Sequence, residues 1–234
     1  MEFNSYNLFD DEVTSVTKTR VSVDNFDLLA PFLKFPLVDD SFYVCEIIKR
    51  RKENPTLAVG TKLIDTFYLY DGDLQRKKSL IKELCKSNGA RAYLRLNVRS
   101  ARAVALRTMK KLAELIEQGN YKATKRAYAS AAGEVNSAGV DKTWIVDLDE
   151  RHLPYQQTIE KIIYGLYENK IVQLPPITKV PTVNGIHLIC RPFDRMGFGI
   201  ASSFSGSILC LPSDIRNIDI HKDNPTLLFY SQGE

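Results

Sequence analysis

The chain has 234 residues, of which 44% are hydrophobic, 10% aromatic and 26% charged, the proportions of a globular protein large enough to bury a core without disulfides or a structural metal. They exclude disorder, collagen-like repeats and a cysteine-stapled scaffold. No apolar run approaches the roughly 20 residues that cross a bilayer, and the start, MEFNSYNLFDDEV, is acidic where a signal peptide is basic and then apolar. The expectation is therefore a cytoplasmic protein without membrane partners. A formal charge of +4 conceals strong polarity, because Arg76 to Ala127 carries fifteen Lys or Arg against three Glu, a net of +12 that leaves −8 for the rest.

In chain order, residues 1–40 read as an acidic N-terminal arm packed on a single α+β domain spanning 41–234. Aromatic and β-branched runs predict strands over 42–48 and 64–70, with a loop or ragged hairpin between them. A helix follows, placing Leu74, Leu80, Ile81 and Leu84 at helical spacing and stopping near Ser87 before Asn88-Gly89. ARAYLRLN has strand length, and SARAVALRTMKKLAELIEQGN is the strongest helical segment. A shorter helix is expected over 121–132, then a loop marked by Gly133, Ser137 and Gly139. TWIVDLDE, residues 143–150, predicts a strand, followed by a helix over 156–168. Asn184-Gly185 predicts a tight turn of positive φ between two short strands. After the Gly- and Ser-rich GFGIASSFSGS, apolar pieces at 207–211 and 226–231 complete a mixed or antiparallel sheet with flanking helices. Cys45, Cys85, Cys190 and Cys210 lie far apart without a C-x-x-C pair and read as buried free thiols.

Two features point to chemistry. In a strand, residues i and i+2 share a face, so Asp147 and Asp149 present two carboxylates together at the end of WIVDLD. Paired carboxylates suit a hard divalent cation, Mg²⁺ or Mn²⁺, which leaves coordination positions for phosphates. The alternative is that these Asp residues cap a turn. About 38 residues later, TVNGIHLI opens a strand carrying a single His187. The second feature is the basic segment. Arg91 and Arg95 stand four apart on a strand, Arg99, Arg102, Lys110 and Lys111 ride the following helix, and Lys122, Lys125 and Arg126 come after it. Such a face neutralises a phosphate backbone, and the interleaved Tyr93, Tyr121 and Tyr128 can stack on bases. No G-x-x-x-x-G-K-[ST], dinucleotide fingerprint, G-x-S-x-G elbow or zinc-ligand spacing is present; His152 and His221 have no ligand partner at useful spacing.

Together, Asp147-Leu148-Asp149 after two apolar residues and the Gly-containing turn leading into Ile186-His187-Leu188 resemble the first two motifs of the archaeo-eukaryotic primase superfamily. The likeness covers about 50 residues, Thr143 to Phe193. YLRLN, IVDLDE, NGIHLI and NPTLLFY are also similar to segments of uncharacterised tailed-phage proteins. The resemblance implies an RRM-like primase-polymerase catalytic core in which Asp147 and Asp149 bind metal, His187 contacts the phosphates of an incoming nucleoside triphosphate, and a third acidic residue completes the site. Asp219, between two Ile residues, has the right local form; Asp214 and Asp223 are neighbouring alternatives. The functional expectation is a nucleotidyltransferase acting on nucleic acid, DNA ahead of RNA. The alternatives are a non-catalytic nucleic-acid-binding protein and a metal-dependent nuclease.

Overall fold

Strand β2, Ser41–Arg50, shows how the molecule is layered. Its alternation sends Tyr43, Cys45 and Ile47 to one side and Phe42 and Val44 to the other, and both sets are buried, in different clusters. A strand apolar on both faces must lie between two layers.

The computed structural model describes residues 22–35, 40–58, 60–134, 142–167, 176–203 and 209–231. In chain order the elements are β1 (Val23–Asp24), α1 (Phe26–Leu29), β2, β3 (Thr61–Leu69), α2 (Asp73–Arg76), α3 (Lys78–Asn88), β4 (Arg91–Leu94), β5 (Arg99–Ser100), α4 (Ala101–Glu117), α5 (Ala127–Glu134), β6 (Trp144–Asp149), α6 (Gln156–Gly165), β7 (Thr178–Pro181), β8 (Gly185–Cys190), α7 (Arg195–Ser203), β9 (Asp219–His221) and β10 (Thr226–Tyr230). Short 3₁₀ turns occupy Ala30–Phe32, Tyr121–Arg126 and Glu150–Tyr155.

The class is α+β with antiparallel pairing throughout the described strands. There are two sheets, however, where the sequence pattern suggests one. The first runs β1-β10-β4-β2-β3 with β5 on β2, and the second runs β7-β8-β6-β9. Helices α1 and α3 cover one face of the first sheet through Phe26, Leu29, Ile81 and Cys85, while α4 and α5 cover Phe42 and Val44 on the other with Val104, Ala131 and Ala132. Helices α6 and α7 cover the second sheet through Ile159, Ile162, Ile163 and Phe198. Its opposite face joins the first sheet's core through Ile145, Val180 and Ile189.

Several elements depart from expectation. Residues 195–203 form α7, an element not expected where the Gly- and Ser-rich stretch 197–207 begins, because burying Phe198 beside Phe193 and Leu211 outweighs the helix penalty of glycine. The stretch 121–132 divides into a 3₁₀ turn and α5. Residues 209–211 are not a strand, and 207–208 lie outside the described residues, as do Ser137, Gly139 and 168. Residues 22–35 insert Phe26 and Leu29 into the first core; the rest of the acidic arm, 1–21 and 36–39, lies outside the described residues. Cys45, Cys85 and Cys190 are buried free thiols, whereas Cys210 is half-buried.

Gly185 is needed for a reason other than the one its turn suggests. Positive φ occurs at Gly72, Gly89 and Gly119 but at neither Asn184 nor Gly185. Instead, a Cβ at Gly185 would overlap the carbonyl oxygen of Leu148 on the paired strand. Gly185→Ala is therefore expected to cost at least about 2 kcal/mol, since backbone rather than a flexible side chain must give way. Thermal unfolding of the variant checks this.

Asp73, at the start of α2, accepts from Tyr70 N, Arg76 and Lys77. The Lys77 and Arg76 bonds hold its carboxyl down to about 2. The stability it supplies is present above its unfolded value near 4 and is lost as pH falls from there toward 2. Asp73→Asn should lower stability at pH 7 by about 1–2 kcal/mol and flatten that acid limb, measurable by urea unfolding across pH 2–7.

Candidate functional site

The second sheet brings the motif residues into one row. Antiparallel register sets Asp147 on β6 opposite His187 on β8 and opposite Asp219 on β9, and directly opposed residues share a face. Asp149 is two residues along β6 on that same face. His187 Nε2 lies 3.4 Å from Asp147 Oδ1. Its Nδ1 lies 2.8 Å from the hydroxyl of Thr226, a fully buried residue on β10 of the first sheet. With the Thr226 hydroxyl donating to Nδ1, Nε2 carries the ring proton and lies beside the carboxylate at a distance long for a hydrogen bond. The first sheet thus orients a histidine of the second.

Burial works against ionisation of Asp147. The contact with His187, with smaller contributions from His221 and His152, outweighs it and holds this carboxyl below its ordinary value. Asp149 is exposed and shares a capping box with His152: its side chain accepts from the His152 backbone, and its own N–H donates to His152 Nδ1 at 3.1 Å. Burial pushes the His152 imidazole down, consistent with the neutral acceptor that this bond requires. Asp149 therefore has the capping role that its residue type allows, and a carboxylate with about four lone-pair sites retains capacity for a second partner.

Of the three candidate third carboxylates, Asp223 is committed elsewhere, paired with the buried Arg99 and bonded to Asn97 Nδ2 at 2.9 Å. Asp214 sits in an exposed turn. Asp219 faces Asp147 in register and is exposed. Among the described residues, no group of three or more His, Cys, Asp or Glu is arranged to hold a metal ion. What remains is the Asp147/Asp149 pair, two hard oxygen donors on one face. That fits Mg²⁺ or Mn²⁺, which binds through one or two carboxylates and completes its shell with water and phosphate oxygens.

These carboxylates line a cavity of about 490 Å³ between the two sheets. One wall carries Asp147, Asp149, His187 and His221; the other carries Arg50, Lys52, Arg91 and Tyr93. Arg50 donates to the Tyr93 hydroxyl at 3.2 Å. Arg91 pairs with Glu53 at 2.6 Å and lies 4.8 Å from the centre of the Tyr230 ring. Its buried Nε has no hydrogen-bond partner, a spare donor that an anion would satisfy. Sequence reading missed Arg50 and Lys52, which stand outside the basic segment, and set aside His221. The alternation of β2 was the available signal, since it places Arg50 on one face with Ile48.

The basic segment does not form the single face expected of it. Arg91 enters the cleft. Arg95 bonds to Asp223 O at 3.0 Å and to Glu46 at 3.2 Å, tying the β9–β10 turn to β2. Arg99, expected on a nucleic-acid face, is fully buried and donates to Ala132 O, Asn97 O and Asp223. It lies on β5 rather than on the following helix, and its donors are spent inside the protein. On α4, Arg102 and Lys110 are exposed, while Lys111 pairs with Glu134 at 2.5 Å. Lys125 and Arg126 are exposed on the 3₁₀ turn after it. No described helix is long and apolar enough to cross a membrane. No protein-family model matches the sequence, and neither the curated proteins nor the solved structures yield a significant match to the chain or its fold.

Proposed function

We propose that the protein is a metal-dependent nucleotidyltransferase of primase-polymerase type, adding nucleotides from nucleoside triphosphates to nucleic acid in the cleft between the two sheets. The observation that carries this reading is the polarity of the cleft, with Asp147, Asp149 and His187 facing Arg50, Lys52 and Arg91. A purely acidic cavity suits a cation and a purely basic one suits a phosphate. A cleft with both suits a cation and a polyphosphate bound together.

In this reading Asp147 and Asp149 hold Mg²⁺ or Mn²⁺. The bound cation supplies Lewis acidity that lowers the pKa of an attacking 3′-hydroxyl and neutralises charge on the leaving pyrophosphate. Arg50, Lys52 and Arg91 neutralise the phosphates from the opposite wall. His187, held by Thr226, would donate through Nε2 to a phosphate oxygen. Tyr93 offers a ring on which a base can stack.

The test is incubation with primed and unprimed single-stranded template, nucleoside triphosphates and Mn²⁺, with products resolved by length. Extension or de novo synthesis is expected. Degradation of the template would replace this reading with a nuclease, in which water attacks in place of the hydroxyl. Binding without reaction would leave a non-catalytic nucleic-acid-binding protein.

A further inference from the structure

Outside the cleft, α4, the 3₁₀ turn Tyr121–Arg126 and α5 enclose a second cavity of about 620 Å³. Lys111, Lys122, Lys125 and Arg126 line it with the neutral donors Gln118 and Asn120, and Glu114 is the one carboxylate among its lining residues. Lys111 is already paired with Glu134, as is Arg107 at 2.8 Å, and these two cations push the Glu134 carboxyl down to about 2. Lys122, Lys125 and Arg126 pair with no carboxylate among the described residues, whereas Lys110 and Lys111 on the neighbouring α4 do.

Three residues make one 3₁₀ turn, so Lys122 and Lys125 project one above the other, with Arg126 beside them. Beside this stack, Tyr121 is 66% exposed. A row of unpaired cations with an uncovered aromatic ring matches alternating phosphate and base more closely than it matches an isolated anion.

We propose that this groove is a second binding site, distinct from the cleft, which holds single-stranded nucleic acid by its backbone and stacks one base on Tyr121. Its position makes such a strand useful. Helices α4 and α5 sit on Phe42 and Val44, and Ile48 and Arg50 lie further along β2 with the same parity and line the cleft. The helices that form the groove and the β2 residues that line the cleft therefore lie on one face of the first sheet. The inference rests on the reading of the cleft for the polymer's role as a substrate, but not for its binding.

The experiment is fluorescence anisotropy of a labelled 20-mer oligothymidylate with the full chain between 50 and 200 mM salt. Lys122→Ala/Lys125→Ala/Arg126→Ala should weaken binding at least tenfold at low salt. It should also reduce the slope of log K against log salt by about 2, since each phosphate contact on a single strand contributes roughly 0.7. Tyr121→Ala should weaken binding at least about fivefold and leave the slope unchanged. A control that removes as much charge elsewhere, Lys86→Ala/Lys142→Ala/Lys161→Ala, should leave both quantities near wild type. Equal losses in both triple variants, or none in either, overturn the proposal. So does equally tight binding of a 20-base-pair duplex or of poly-glutamate. Asp147→Asn should bind the oligonucleotide like wild type, so a chain that never reacts but loses binding only in the groove variants refutes the cleft reading and leaves this one standing.

Discussion

Asp147→Asn is expected to lower Mn²⁺-dependent nucleotide incorporation at least about a thousandfold, roughly 4 kcal/mol of transition-state stabilisation, with the melting temperature staying within about 2 °C of wild type. Asn keeps the size of the side chain and an oxygen beside His187 Nε2, so the row across the second sheet keeps its packing. The charge that attracts the cation, however, is gone. Asp147 is the more sensitive of the pair because its carboxylate is the one beside His187 in the cleft and is already held ionised there. Asp149→Asn should lose less activity and more stability, since Asp149 also caps the turn at Glu150–Tyr155. Initial rates with Mn²⁺ in excess, paired with thermal melts of both variants, measure these outcomes. Incorporation unchanged in Asp147→Asn would refute the assignment of the metal to this carboxylate.

Arg99→Met is expected to cost about 3–5 kcal/mol and about 10 °C in melting temperature, the largest loss of stability from any basic residue in the segment. Arg99 is wholly buried and donates from three nitrogens to partners on three parts of the chain. Met fills much of the volume, but it leaves the carbonyls of Ala132 and Asn97 short of a donor and Asp223 without its cation. The same change at Arg107, whose partner Glu134 is exposed, should leave the melting temperature where it was. Urea unfolding of both variants gives the comparison, and a loss at Arg99 no larger than at Arg107 would refute its role as an internal tie. Because Asp223 precedes β10, the strand that carries Thr226, Arg99→Met should also loosen the hold on His187 and lower incorporation.

How much the sequence reveals depends on the range of the interaction. β6 and β8 were legible because alternation and turn chemistry are local, and the face shared by Asp147 and Asp149 follows from strand geometry alone. The Asn184-Gly185 turn was placed correctly but for the wrong reason, since the carbonyl of Leu148 approaches Gly185 from a strand distant in sequence. Helix α7 was missed because its glycines argue locally against a helix and only burial against Phe193 and Leu211 argues for one.

The basic segment marks the boundary most clearly. By itself the sequence determined the α+β class, the main strands and helices, the concentration of positive charge in residues 76–127, and the carboxylate pair with its downstream histidine. Only the tertiary structure decided what each charge does. Arg91, Arg95 and Arg99 look alike in YLRLN and its flanks, yet their carboxylate partners Glu53, Glu46 and Asp223 stand 38, 49 and 124 residues away. Packing of two separate sheets set Arg50 and Lys52 across from Asp147, and left Lys122, Lys125 and Arg126 without a described partner. The reason is physical: backbone periodicity is fixed by neighbours a few residues away, whereas the environment of a charge is fixed by whatever the fold brings within a few ångströms of it.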